Sequence, residues 1–242
     1  MIRLGRYSGL ALATAIVFVA APSYGQSAES LAFLRDVNAR IAAPSPDAIA
    51  SLLKDGFERG QQKNSQVCIP ASIAVSDIKP ATADAGVWIA IRNSKMVNAW
   101  TVRATMTGCP VGSANYLVIR FADDSAGRAV YRPIGFSRGT THAGFSISKD
   151  AMNAVVGGMA GALTKAKIDI KTCGGTLIVG PREITMDGGL GPDIYGVRFR
   201  GDWKEKWHFQ ECGHDVAVPV HFIADGHGGA NFDVNASDVE LK

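Results

Sequence analysis

Four of the five histidines, His208, His214, His221 and His227, fall within twenty residues of one another. Imidazole is a common ligand of transition metals, so this stretch is the first place to look for chemistry. Trp207 and Phe209 alternate with polar residues, and so do Val216, Val218, Val220 and Phe222. If the two runs form a hairpin with its apolar side inward, paired residues must have opposite sequence parity. His208 and His221 then share the polar face. A four-residue loop, Gly213 to Val216, sets them directly opposite; a two-residue loop, Gly213-His214, sets them on a diagonal. Facing residues lie ~5 Å apart and diagonal ones ~7–8 Å. Either spacing allows one metal ion to bridge His208 and His221, with Gln210 or a rim carboxylate completing the set. The same pattern also suits two solvent-facing histidines, with His214 and His227 in turns, because no H-E-x-x-H motif is present.

Other stretches offer less. Gly188-Gly189-Leu190-Gly191-Pro192-Asp193 matches the start of a calcium-binding nonapeptide, but that motif needs stacked copies, and one copy reads as a glycine-rich loop. Asp225-Gly226-His227-Gly228-Gly229 reads as a hairpin turn. There is no G-x-S-x-G elbow and no phosphate loop. Asp123-Asp124 points to opposite faces if extended and is better placed in a turn than in a glycosidase pair. Trp88, Trp100, Trp203 and Trp207 could stack on sugars, although strand spacing favours a core role for Trp100 and Trp203. No motif requires a cofactor.

The elements that must hold these residues follow from a repeat. Cys68, Trp100 and Cys109 recur as Cys173, Trp203 and Cys212, with the Trp nine positions before the second Cys each time. A β-rich run ending in Ala-Asp follows in both copies, at Asp123 and Asp225, with Gly127 and Gly229 four residues on. The repeat selects Cys68–Cys109 and Cys173–Cys212 from the three possible pairings. Each bridge then closes a loop of about 40 residues, worth about 4 kcal/mol in the chain-entropy model. C-x-x-C spacing, the mark of a structural zinc site, is absent.

Residues 1–25 resemble an export signal: Arg3 and Arg6, an apolar run from Gly9 to Ala21, then Ser23-Tyr24-Gly25 for cleavage after Gly25. Export leads to an oxidising compartment, where disulfides persist. The leader carries two of the three excess positive charges, so the mature chain is nearly neutral. That balance offers no electrostatic footprint for nucleic acid. No later apolar stretch has the ~18 residues a membrane helix needs.

The expected fold is α+β and mainly antiparallel β. Two related, disulfide-stapled β units pack together, with an N-terminal helical pair and one connecting helix. The helical segment is 26–66, with Ser45 as N-cap of its second helix. The first β unit is 67–136, with strands near 69–75, 86–92, 99–107, 115–122 and 128–133. The connection is 137–169, with a helix over 149–166 capped by Ser148. The second unit is 170–236, with strands near 175–179, 182–186, 195–199, 203–211, 216–224 and 230–235, and a frayed tail follows at 237–242. Gly157, Gly158 and Gly161 mark close packing on the connecting helix. Glu205 and Glu211 interrupt the apolar face of their strand and are expected at the sheet rim. The functional expectation is a periplasmic or secreted, non-enzymatic binding or assembly protein that meets another envelope protein or an extracellular ligand. A metal-binding protein or metal-dependent hydrolase using His208 and His221 is the alternative, and a carbohydrate-binding module the third reading.

Overall fold

The computed structural model describes residues 28–93, 96–169 and 177–242. The expected leader lies outside the described residues. So does Cys173, and with it the expected Cys173–Cys212 bridge.

Helices α1 (Ala28–Arg40) and α2 (Pro46–Lys63) form the N-terminal pair. Ser45 caps α2, its Oγ accepting from Ala48 N at 3.2 Å, with Pro46 in the first turn. Ile49 and Leu53 on one face of α2 pack on Trp100, Val102, Ala104 and Met106. Those four residues are the inward face of β2 (Met96–Thr107), alternating with Thr101, Arg103 and Thr105. Strands β1 (Ser72–Pro80), β2, β3 (Ser113–Phe121) and β4 (Val130–Arg138) form an antiparallel meander in sequence order. Cys68 and Cys109 are bonded and tie the approach to β1 to the β2–β3 turn.

The strand expected at 86–92 is instead helix α3 (Ala85–Asn93). Its apolar residues serve a helical period: Val87 and Ile91, four apart, face the same cluster on the other side of the first sheet. Helix α4 (Phe145–Lys165) starts earlier than expected, after Gly144 as N-cap. Ser148 is not its cap; the residue is buried and its hydroxyl donates to Ala143 O at 3.1 Å. Ala151, Val155, Met159 and Leu163 of α4 cover Trp203, Trp207 and Phe209. A Cβ on Gly158 would come within 2.6 Å of Val234 Cγ1, and one on Gly161 within 3.3 Å of Ala236 Cβ. Two of the three helix glycines thus admit a close neighbour, while Gly157 faces open space.

The second sheet contains β5 (Ile178–Gly188), β6 (Asp202–Glu211), β7 (His214–Ala224) and β8 (Ala230–Asp233), again a meander. One bulged strand, β5, covers most of the two strands expected over 175–186, with its register broken between Val179 and Arg182 at Gly180-Pro181. The expected strand at 195–199 is a loop with a single bridge, Ile194 to Val197. The tail does not fray: β9 (Glu240–Leu241) pairs with β7, and Asp215 and Lys242 exchange backbone hydrogen bonds of 3.1 and 2.9 Å.

In each half a helix precedes a four-stranded meander, α2 before β1–β4 and α4 before β5–β8, but the first half alone carries a helix, α3, between its first two strands. The loops closing the last hairpin of each half share several hydrogen bonds, although Gly226 holds positive φ where Ser125 does not. Asp124 Oδ1 accepts from Ala126 N and Arg128 N, both at 2.9 Å. Asp225 Oδ1 accepts from His227 N at 2.6 Å and Gly229 N at 3.0 Å. The backbone N–H of each Asp donates to the carbonyl four residues on. Gly127 and Gly228 hold positive φ at the same place. Asp124, one position beyond the expected Asp123, is the residue that makes the same hydrogen bonds as Asp225.

The two sheets meet edge to edge rather than face to face. Gly139 forms a parallel bridge with Arg182, and Thr140 N donates to Arg182 O at 2.8 Å. Gly139 has φ +72°, and a Cβ there would run into the Arg182 carbonyl oxygen. Gly139→Ala should cost about 2–4 kcal/mol, from left-handed strain plus overlap. Gly127→Ala, at the same φ but in open space, should cost about 1 kcal/mol. Urea denaturation of both variants checks this, and equal losses would remove the claimed contact.

Candidate functional site

Glu205 sits on the apolar face of β6 between Trp203 and Trp207, two residues from each, and is fully buried. The expected position at the sheet rim is wrong for this residue. Its carboxylate is at the junction of the two halves, where donors from the β4–α4 connection reach it. Thr141 Oγ1 donates across both oxygens, at 2.8 Å to Oε1 and 2.9 Å to Oε2. His142 N and Ala143 N donate to Oε1 at 2.8 and 3.2 Å. Trp203 Nε1 donates to Oε1 at 3.0 Å and Trp207 Nε1 to Oε2 at 2.8 Å. Five donors on one carboxylate satisfy the requirement for burying a charge. They also occupy it, leaving no oxygen free to take a proton from a substrate. Glu211, at the end of β6, is buried as well.

The counter-charge is Arg182, opposite Trp207 in the β5–β6 register and also buried. Its Cζ lies 3.4 Å from the centroid of the Trp207 ring. The indole therefore serves both charges, with its N–H to Glu205 and its π face to the guanidinium. Arg182 Nη1 donates to Ser148 Oγ at 2.8 Å and Nη2 to Phe136 O at 3.3 Å. Burial pulls this guanidinium down to about 10, while Glu205 favours its charged form. At neutral pH it stays a cation. One cluster thus fastens β4, the connection, α4, β5 and β6.

Asp84 is a second buried carboxylate nearby. Its Oδ2 accepts from Ser146 N at 2.8 Å, and its Oδ1 takes a short hydrogen bond from Ser146 Oγ. Val87 N donates to Oδ1 at 3.5 Å. The group sits at the starts of both α3 and α4, where helix dipoles favour negative charge. Burial nevertheless pushes its carboxyl above the usual range, against those hydrogen bonds.

Beside the cluster lies a cleft of about 250 Å³, between the outer face of the first sheet and the 193–198 loop. Lys79, Arg103 and Asn115 line one wall and Arg198 the other, with His142 at the connection. Arg198 Nη2 donates to His142 Nδ1 at 3.3 Å. A guanidinium cannot accept, so the imidazole proton is on Nε2. His142 Nε2 is 2.8 Å from Asp187 Oδ1, an ion-pair distance, yet the angle is too bent for a hydrogen bond. Close approach of the 193–198 loop depends on Gly144, where a Cβ would lie 2.9 Å from Gly196 O.

The hairpin register does not bring His208 and His221 together. The turn is Cys212-Gly213, with φ of +53° and +77°, a two-residue type I′ turn one position earlier than either loop considered above. His208 faces Ala217 and His221 faces Lys204. They share a face but stand four residues apart along the strands, ~13 Å at strand rise. Each has its own carboxylate: His208 Nε2 is 3.4 Å from Glu183 Oε1 and His221 Nε2 is 3.0 Å from Asp202 Oδ2. Among the described residues, no three His, Cys, Asp or Glu side chains gather as a metal site. Trp100, Trp203 and Trp207 are buried, and Trp88 packs edge-on against Phe33 with centroids 5.5 Å apart. No described strip of the surface presents two tryptophans. No helix of the described residues is long and apolar enough to cross a membrane.

The sequence reading missed Arg182 and His142. Glu205 did give a signal, as the one carboxylate between two tryptophans on an apolar face. His142 was the histidine outside the cluster, and its partners are all at least 45 residues away in sequence.

The raised Asp84 pKa means that the folded state holds this proton more tightly than the unfolded one. Its stabilising contribution is complete below the ordinary value of 3.8 and is lost as pH rises through the folded pKa. Measured against non-titrating Asp84→Asn, the wild type should lose relative stability from acid toward neutral pH in urea denaturation. A difference that grows with pH would contradict the burial argument. No known family model matches the chain, and no curated protein or solved structure shows significant similarity to it.

Proposed function

We propose that the chain is an exported, non-enzymatic binding or assembly protein of the cell envelope, acting in the periplasm or outside the cell. The observation that carries this reading is the saturation of Glu205: five donors hold its carboxylate, so the best-buried acid joins the two halves instead of serving a reaction. Arg182 is engaged in the same way. The neighbouring cleft, built from both halves, offers a binding surface where ligands commonly sit, at the seam between units. The leader and the Cys68–Cys109 bridge support an oxidising location.

The two halves are read as copies of one ancestral unit, each stapled by its own disulfide. The four-strand meander order common to both sheets, the Trp on the second strand of each and the hydrogen bonds shared by the Asp124 and Asp225 loops favour this. The reading of His208 and His221 as one metal site loses support from their four-residue offset. A sugar-binding strip loses it from the burial of three tryptophans.

Expression of the full chain without a tag, followed by N-terminal sequencing and metal analysis of the envelope fraction, tests the proposal. The expected result is mature protein starting at Gln26 with far less than one zinc or copper per chain. Stoichiometric metal that disappears in His208→Ala would overturn it in favour of the metal-binding reading.

A further inference from the structure

We infer that the cleft between the two halves binds a small dianion, such as a short dicarboxylate, with one charge against each wall. This rests on the binding reading above and names the ligand class.

The walls carry cations that the fold does not neutralise. On the first sheet, Lys79 is on β1 and Arg103 on β2, and Lys79 pairs with Thr101, two residues from Arg103 on the same face. Among the described residues neither side chain has an ion-pair or hydrogen-bond partner. Across the cleft, Arg198 is half-buried and donates only to neutral acceptors, Gly191 O and the His142 ring. Two acids also line the space, Asp77 and Asp193. Asp193 is partly occupied, accepting from Gly196 N at 2.8 Å. Both acids and Lys79 are exposed, whereas Arg103 and Arg198 are half-buried, so the two guanidinium groups are the deeper charges.

Desolvation strengthens what half-buried cations can do for an anion. Arg presents a planar fork that fits a carboxylate with two hydrogen bonds. With Arg103 and Lys79 on one wall and Arg198 on the other, a ligand with separated charges uses both walls, and a compact monoanion uses one. The volume of about 250 Å³ far exceeds the ~15 Å³ that a single water needs.

The test is calorimetric titration of the purified full chain with succinate, acetate and inorganic phosphate, each against sodium chloride of matched ionic strength. Succinate should bind saturably at one site and raise Tm, and acetate should bind more weakly. Arg103→Gln should weaken succinate by at least about tenfold with the unliganded Tm little changed, because the Arg103 guanidinium has no hydrogen-bond or ion-pair partner among the described residues. Lys204→Gln, on the far face of β6, should bind as the wild type does. No saturable succinate binding, phosphate bound more tightly than succinate, or full binding in Arg103→Gln would each overturn the inference. Such a failure leaves the envelope-binding proposal standing on a macromolecular partner, since metal content and cleavage site test that proposal separately.

Discussion

The buried carboxylate of Glu205 is the constraint on which the arrangement of this protein depends. A charge taken out of water costs several kcal/mol unless it is hydrogen-bonded on all sides. Here the donors come from one strand and from the connection between the halves, two segments far apart in sequence. Satisfying the carboxylate therefore requires the β4–α4 connection to lie on the second sheet. Arg182 completes the arrangement from β5 by stacking on Trp207, whose N–H already serves Glu205. Ser148 carries the network into α4, where the apolar contacts with Trp203, Trp207 and Phe209 begin.

The same cluster explains the shape of the cleft. Thr141, His142 and Ala143 are fixed by Glu205, and their other sides line the space between the sheets. Gly139 and Gly144 permit the two close approaches, to Arg182 and to the 193–198 loop. Asp84 adds a second fixed point by holding α3 and α4 at a common origin. Of the cations facing the cleft, Lys79 and Arg103 are mounted on strands β1 and β2, and Arg198 is held on the 193–198 loop by its hydrogen bonds to Gly191 O and His142 Nδ1. Rigid mounting of this kind lowers the ordering cost of binding.

Alternation in Trp203–Phe209 and Val216–Phe222 was enough to read the β6–β7 pairing parity, and Ser45-Pro46 was enough to read the start of α2. The Cys-Trp-Cys spacing led to the Cys68–Cys109 bridge. Short apolar runs misled: 86–92 is helical because its packing partners recur at four residues, a distinction that a seven-residue run hardly carries. The position of His208 relative to His221 depended on where the turn sits: it is Cys212-Gly213, one position before the two-residue loop Gly213-His214, and one pair of positive φ angles decided it. Long-range polar contacts were the least legible. Nothing in the sequence around Arg182 announces that it stacks on Trp207, because the pairing exists only after the β5 bulge sets the register.

If Glu205 joins the halves, removing its charge at constant shape with Glu205→Gln should loosen the whole seam. The amide places an N–H₂ among donors and leaves Arg182 without its buried counter-charge. Urea denaturation followed by tryptophan fluorescence and by circular dichroism should show a loss of about 3–5 kcal/mol, with both probes shifting together. A loss below about 1 kcal/mol, the scale of an ordinary exposed ion pair, would contradict the account.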